Sequence, residues 1–190
     1  MKCLAGITCV AVFFVHGALG ADALPSGSIY NLHTVLVSQS GAMHGLDVYA
    51  GHPVLVTMFY SSCPAACPLL IDTIRAAERS LDERRRGELR VLMISIDPDR
   101  DTSEALAKLA DERHIDGARW TLAHADAASV RKIAATLNTQ YRRLPDGQFN
   151  HSSIISLLSP QGEILLQSSH LGNADPSLLV ALKLAFDRPH

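Results

Sequence analysis

No long block of one charge sign runs through this 190-residue chain. Lys and Arg total 17, Asp and Glu total 19, and the formal net charge is −2. A general nucleic-acid binder carries a basic excess, so that class is excluded. Internal repeats, low-complexity tracts and an interdomain linker are also lacking, and the length suits one ordinary domain. Charged residues make up only 19% against 47% hydrophobic ones, which excludes bulk disorder and leaves enough apolar material for a core. Cysteine is scarce, with four in all.

The first twenty residues, MKCLAGITCVAVFFVHGALG, lack Arg, Ser and acidic groups. A mitochondrial transit peptide is rich in Arg and Ser, so that reading is disfavoured. Lys2, an apolar run over 4–15 and the small residues of 17–21 have the layout of a secretory signal peptide, cleaved after Gly20 or Ala21. The run falls short of the ~20 residues that cleanly span a bilayer, and an uncleaved N-terminal anchor is the second reading. Cys9 lacks the preceding small residues of a lipid-anchored cysteine. Cleavage removes one Lys and no acid, taking the charge from −2 to −3, and it removes Cys3 and Cys9. Only Cys63 and Cys67 remain. One pair spaced by four cannot be the disulfide framework of a small exported fold.

Residues 21–32 read as a tether. Segments 34–38 and 43–49 flank Gln39-Ser40-Gly41-Ala42 and predict a hairpin. The runs 54–60 (VLVTMFY) and 90–96 (RVLMISI) are buried strands, continuous rather than alternating. Between them, 69–86 has apolar residues at helical spacing, and the mixed charges of 82–86 read as its solvated end. Asp101 is expected to cap a helix carrying Leu106, Leu109 and Ala110, and Asp126 one over 127–137. A strand over 120–123 lies between these helices. A hairpin of 152–158 and 163–167 turns at Ser159-Pro160-Gln161-Gly162. Asp175-Pro176 opens a last helix over 177–186. Alternating strands and helices imply a parallel sheet core, and the closing hairpin implies an antiparallel edge.

The segment Tyr60-Ser61-Ser62-Cys63-Pro64-Ala65-Ala66-Cys67-Pro68 joins a buried strand to a helix. Open α/β sheets place their chemistry at such carboxyl ends. The helix N-terminus is expected to stabilise a thiolate there. An i,i+4 pair on one helical face can close as a disulfide or hold a soft metal ion. A purely structural bridge would close almost no loop and add little stability. Two thiolates leave a metal short of donors. Outside the first twenty residues stand His33, His44, His52, His114, His124, His151, His170 and His190. His151 is set apart by its place just before a strand, which leaves it one candidate among several.

Cys63-Pro64-Ala65-Ala66-Cys67-Pro68 resembles the CPxxCP motif of the Sco/SenC family. Ser95-Ile96-Asp97-Pro98-Asp99-Arg100-Asp101-Thr102 is similar to its S-x-DP-x-RDT segment. Asn150-His151-Ser152 followed by 157–162 resembles its DHS…L-x-DP-x-G segment. The matches come in family order and span about 30 to 170. Two departures stand out, Asn150 for Asp and Ser159 for the Asp of the turn. The first removes a nearby negative charge, and neither removes a ligand.

The resemblance implies an α/β, thioredoxin-like fold with a mixed central sheet, flanking helices and an N-terminal β-hairpin, over 33–190. It implies copper bound by Cys63, Cys67 and His151, and gives Asp97 either a supporting role at the site or a plain turn. Thiolate with imidazole suits Cu(I), and such a site also accepts Cu(II); zinc takes the same donor types. The implied function is an exported, periplasmic metallochaperone, tethered to the inner membrane if its anchor stays. Its partner would be the copper-accepting subunit of cytochrome c oxidase or another periplasmic copper protein, with a thiol reductant keeping the pair reduced. The alternative is a thiol–disulfide oxidoreductase in which Cys63 attacks and Cys67 resolves. A sensor reading lacks an effector domain.

Overall fold

The computed structural model describes residues 24–63 and 66–187. The expected signal peptide or anchor, 1–20, lies outside them. The predicted first hairpin forms from β1 (Leu36–Ser38) and β2 (Met43–His44), and 46–49 continue as a 3-10 turn rather than a strand. Then come β3 (Val54–Phe59), α1 (Ala66–Arg79), α2 (Glu83–Glu88), β4 (Arg90–Ser95), α3 (Ser103–Glu112), β5 (Trp120–His124) and α4 (Ala127–Thr136). The chain closes with β6 (Tyr141–Arg143), β7 (Phe149–His151), β8 (Ile155–Leu158), β9 (Ile164–Ser168) and α5 (Pro176–Ala185).

Seven strands form one sheet in the order β2-β1-β5-β4-β3-β8-β9. The middle strands β5, β4 and β3 run parallel, while β1 and β8 join them antiparallel. This is the mixed sheet of a thioredoxin-like fold with its N-terminal hairpin. Every residue of β3 is buried, because both faces are covered. Leu55 and Phe59 pack with α1, α3 and α5 through Leu70, Ile74, Leu106 and Leu178. Val54, Val56 and Met58 pack on the other face with Val130 and Ile133 of α4 and with Ile29 and Tyr30. Two covered faces remove the need for polar alternation, which is why the strand reads as one apolar run.

Two further expectations are corrected, and one element is new. The single helix expected over 69–86 is two. Asp82 accepts a hydrogen bond from Arg85 N at 2.9 Å and starts α2 afresh, and the Arg86 guanidinium caps the end of α1 at the Glu78 and Leu81 carbonyls. A short polar side chain that can bond the backbone ahead competes with helix continuation. The cap of α3 is Thr102, bonded from Ala105 N at 3.3 Å, not Asp101. The two-stranded β6–β7 ribbon was not foreseen. Its strands are three residues long, and its one sequence signal is the turn Pro145-Asp146-Gly147.

Residues 28–32, within the span read as a tether, are built into the domain. Ile29 N donates to Gly162 O at 2.9 Å, and Ser28 Oγ donates to Gln161 O at 2.6 Å. Gly162 sits at φ +82°, and a Cβ there would come within 2.5 Å of Ser28 Oγ and 2.6 Å of Tyr30 Cδ2. Both the positive φ and the close approach require glycine. Replacing Gly162 with Ala is expected to cost about 2–4 kcal/mol, as overpacking and backbone strain combine. Chemical denaturation measures the loss, and faster hydrogen exchange at the Ile29 amide shows where it falls.

Candidate metal centre

The cysteines sit where the buried strand β3 gives way to α1. Main-chain Tyr60 O accepts Cys63 N at 3.2 Å and the Cys67 thiol at 3.0 Å, so one carbonyl folds the loop around both residues. Cys63 is half-buried, and Cys67, in the first turn of α1, is 3% exposed. Both are thiols. Cys63 lies near enough to Cys67 and to the Tyr60 hydroxyl to influence both electrostatically.

Burial pushes the Cys67 thiol far above its ordinary range, against the expectation that the helix N-terminus would stabilise a thiolate; its bond to Tyr60 O and the nearby Cys63 and Asp101 are smaller influences. Desolvation opposes the charged form, and in this thiol it outweighs the helix-end field, whose strength is only ~0.3–1 kcal/mol at exposed sites. Cys67 is therefore held protonated until something replaces the proton.

Asp101 anchors the loop from beneath. It is 1% exposed. It accepts Ser61 N at 3.0 Å, the Ser61 hydroxyl and the Ser95 hydroxyl, the last from the end of β4. Sequence reasoning made it a helix cap and missed this role. The available signal was the pairing of a second Asp with Thr102, since only one of the two can cap.

His151 arrives on the ribbon, paired with Tyr141. Its ring meets the Tyr60 ring edge-on, with centroids 5.6 Å apart at 78°. Nδ1 lies 3.2 Å from Ser152 O. A carbonyl only accepts, so Nδ1 carries the hydrogen and Nε2 keeps its lone pair. That Nε2 is buried and has no hydrogen-bond partner among the described residues. Burial holds the imidazole below its usual pKa, with the Ser152 carbonyl as a weaker opposing influence, so the ring is neutral. An open cavity of about 430 Å³ gives onto the ring, lined by Gln140, Tyr141, Arg142, Asn150 and Ser152.

Asp97 lies under the same ribbon. It is buried and ion-paired with Arg100, whose guanidinium donates to Gly147 O at 2.6 Å. Asp97 thus bears on the hairpin turn through Arg100. Asp99 and Arg143 add an exposed pair at 3.6 Å between the same segments.

The structure gathers Cys63 and Cys67 around the Tyr60 carbonyl, and the ring of the same Tyr60 meets His151. Among the described residues, no three His, Cys, Asp or Glu side chains converge closely enough to hold a metal as they stand. The donor set nevertheless fits a soft ion. It consists of two thiols held at one carbonyl and a neutral imidazole whose backbone partner fixes the ligating tautomer, the usual support of a metal-binding histidine. An unsatisfied buried nitrogen is costly, and a ligand would satisfy it. Two of the other histidines have partners of their own: His44 Nδ1 is 3.0 Å from Gly45 O, and His170 Nδ1 is 3.6 Å from Asp175.

The family model described as SCO1/SenC matches residues 27–181. The SCO1 protein homolog of Bacillus subtilis is 22% identical over 169 residues, covering 87% of each chain. The solved structure of Arabidopsis thaliana ScoI with copper bound is similar at a TM-score of 0.69 and 20% identity, over 81% of this chain and 96% of that one. A structure of BsSco, described by its disulfide switch and as a member of the Sco family of cytochrome c oxidase assembly proteins, is similar at a TM-score of 0.67 and 19% identity, over 82% and 92% of the two chains. At such identities the solved structures establish the fold. The family match, which spans most of the sequence, establishes more: this chain belongs to the SCO1/SenC family.

Proposed function

We propose that this chain is an exported metallochaperone that binds Cu(I) or Cu(II) through Cys63, Cys67 and His151 and delivers it during cytochrome c oxidase assembly. The observation that carries the reading is the buried His151 Nε2, without a partner among the described residues, whose ring meets the Tyr60 that holds the cysteine loop. Family membership supports the choice of metal and of pathway. The N-terminal apolar segment supports export to the periplasm, free or held at the inner membrane. The receiving partner on this reading is the copper-accepting subunit of cytochrome c oxidase or another periplasmic copper protein.

The residues divide the work. Cys63, half-buried, is the thiol a donor or acceptor protein meets first. Cys67 waits behind it. His151 approaches from the open cavity side, so the third bond is the one that can be made and broken as cargo passes. Bound copper supplies the transferable ion; the chain supplies soft donors and a shielded seat.

A second reading rests on the two free thiols being gathered at one carbonyl, Tyr60 O. Cys63 can attack a partner disulfide, and Cys67 can then displace the partner, leaving Cys63–Cys67 oxidised and the partner reduced by two electrons. An external thiol reductant would reset the pair. The two readings separate on reduction potential and on activity toward the disulfide of a copper-site subunit.

Reduced native protein is expected to hold one copper per chain with a thiolate-to-Cu(II) charge-transfer band. Cys63→Ser and Cys67→Ser should lose the band. His151→Ala should weaken Cu(II) binding more than it weakens folding, as read by competition titration beside a denaturation curve. Native-like copper affinity in His151→Ala would remove the histidine from the ligand set.

Loading must also expel the Cys67 proton. Since that thiol is protonated at neutral pH, apparent copper affinity should rise about tenfold per pH unit for each proton released. Competition titrations between pH 6.5 and 8 test the sign. A flat profile would mean that Cys67 is not a thiolate ligand.

A further inference from the structure

The ribbon that carries His151 stands apart from the main sheet. Strands β6 and β7 pair with each other, and among the described residues no ladder joins them to the seven-stranded sheet. A two-stranded ribbon is marginal on its own, so other ties must set its place. Toward the cysteine loop, the Tyr60 hydroxyl donates to Gln148 Oε1 at 3.0 Å, and the Tyr60 ring packs on Phe149 with centroids 5.3 Å apart. Ring packing tolerates sliding, so a second fixed point is needed to set the angle of the ribbon. The exposed Arg143–Asp99 pair at 3.6 Å is a poor one, since such pairs contribute ~0–1 kcal/mol.

Arg100 supplies that point. Its Nε donates to Asp97 Oδ2, and its Nη2 donates to Gly147 O at 2.6 Å, in the turn of the ribbon. Two edges of one planar fork are used, one toward the body of the domain and one toward the ribbon. Asp97 is itself held. It is 1% exposed, its N–H donates to Ser95 Oγ at 2.9 Å, and its carbonyl accepts Arg100 N at 3.1 Å and Asp101 N at 2.9 Å. The next residue after Arg100, Asp101, holds Ser61 of the cysteine loop. Consecutive side chains therefore reach the two halves of the candidate centre from one turn.

The geometry points to Arg100 as a positioning residue of the copper centre: its guanidinium, gripped by Asp97, seats the ribbon so that His151 keeps a fixed place relative to Cys63 and Cys67. The inference rests on the copper reading above. It also says which oxidation state feels the loss. Soft Cu(I) is satisfied largely by two thiolates, whereas Cu(II) draws on the imidazole. A misplaced His151 should therefore weaken Cu(II) far more than Cu(I).

Two variants test this. Arg100→Lys keeps a cation for Asp97 but replaces the fork with a compact ammonium. Asp97→Asn combined with Arg100→Gln removes both charges, so no buried carboxylate is left alone. Each leaves the net charge unchanged, so a change in net charge cannot account for the result. Cu(II) affinity should fall about 10–100-fold in the double variant, the usual effect of removing a support behind a metal ligand, and less in Arg100→Lys. Cu(I) affinity should hold, and the Cu(II)/Cu(I) potential should rise by about 59 mV for each tenfold lost. A merely structural Arg100 would lower stability and weaken both ions alike.

A metal-free measurement keeps the inference separate from the copper reading. In the reduced chain, the nuclear Overhauser effect between the Tyr60 and His151 rings, whose centroids lie 5.6 Å apart, should weaken in the double variant. A native-strength effect, or an unchanged ratio of Cu(II) to Cu(I) affinity, would overturn the proposal. Should the double variant fail to fold, Arg100→Lys, which keeps the ion pair, is judged by the same two readouts. Should the native chain bind no copper, the functional reading fails by itself. The ring-to-ring effect then decides whether Arg100 seats His151, weakening supporting it and persistence overturning it.

Discussion

A carboxylate taken out of water must be met by donors, and Asp101 is met by donors from two different segments. Ser61 comes from the cysteine loop and Ser95 from the end of β4, while Asp101 itself stands one residue before the cap of α3. A buried charge without its partners would cost several kcal/mol, so this cluster forms as a unit or not at all. The cysteine loop is thereby tied to the neighbouring strand. Four residues earlier, Asp97 reaches the other half of the centre through Arg100 and the hairpin turn. One short turn, 97–101, underlies both halves.

Much of this arrangement could be read from the sequence, and the reasons it could be are physical. The strands 54–59 and 90–95 announced themselves because two covered faces demand continuous apolar residues. Asp126 and Asp175 were recognised as caps because each precedes its helix directly and its side chain accepts from first-turn amides, Asp175 while also accepting the Ser168 hydroxyl. Asp101 misled for the opposite reason. Its local pattern permits a cap, and only the tertiary fold brings Ser61 to it. The β6–β7 ribbon was illegible because three-residue strands carry almost no periodicity. His151 could be singled out by position and by family resemblance, but its buried nitrogen and the ring of Tyr60 beside it are products of that ribbon.

The cysteines show how two local effects compete. A helix N-terminus favours a thiolate, and a sequence reader sees the helix coming. Burial favours the thiol, and no local pattern reports how deep a side chain will lie. In Cys67 burial dominates. The outcome suits a site that must stay quiet when empty, because a protonated, shielded thiol neither oxidises readily nor attacks passing disulfides. Cys63 is the more exposed of the two.

The packing of residues 28–30 on the β8–β9 turn has a mechanical consequence. That turn lies beside Val54, at the start of β3, whereas the cysteine loop leaves from its far end after Phe59. Strand β3 spans roughly 20 Å between them. Any pull on the chain before Ser28 is therefore taken up at one pole of the sheet through Gly162, while the thiols sit at the other. On the proposed reading, a leash fixed there would leave the opposite pole free to swing toward a partner without drawing on the cysteine loop.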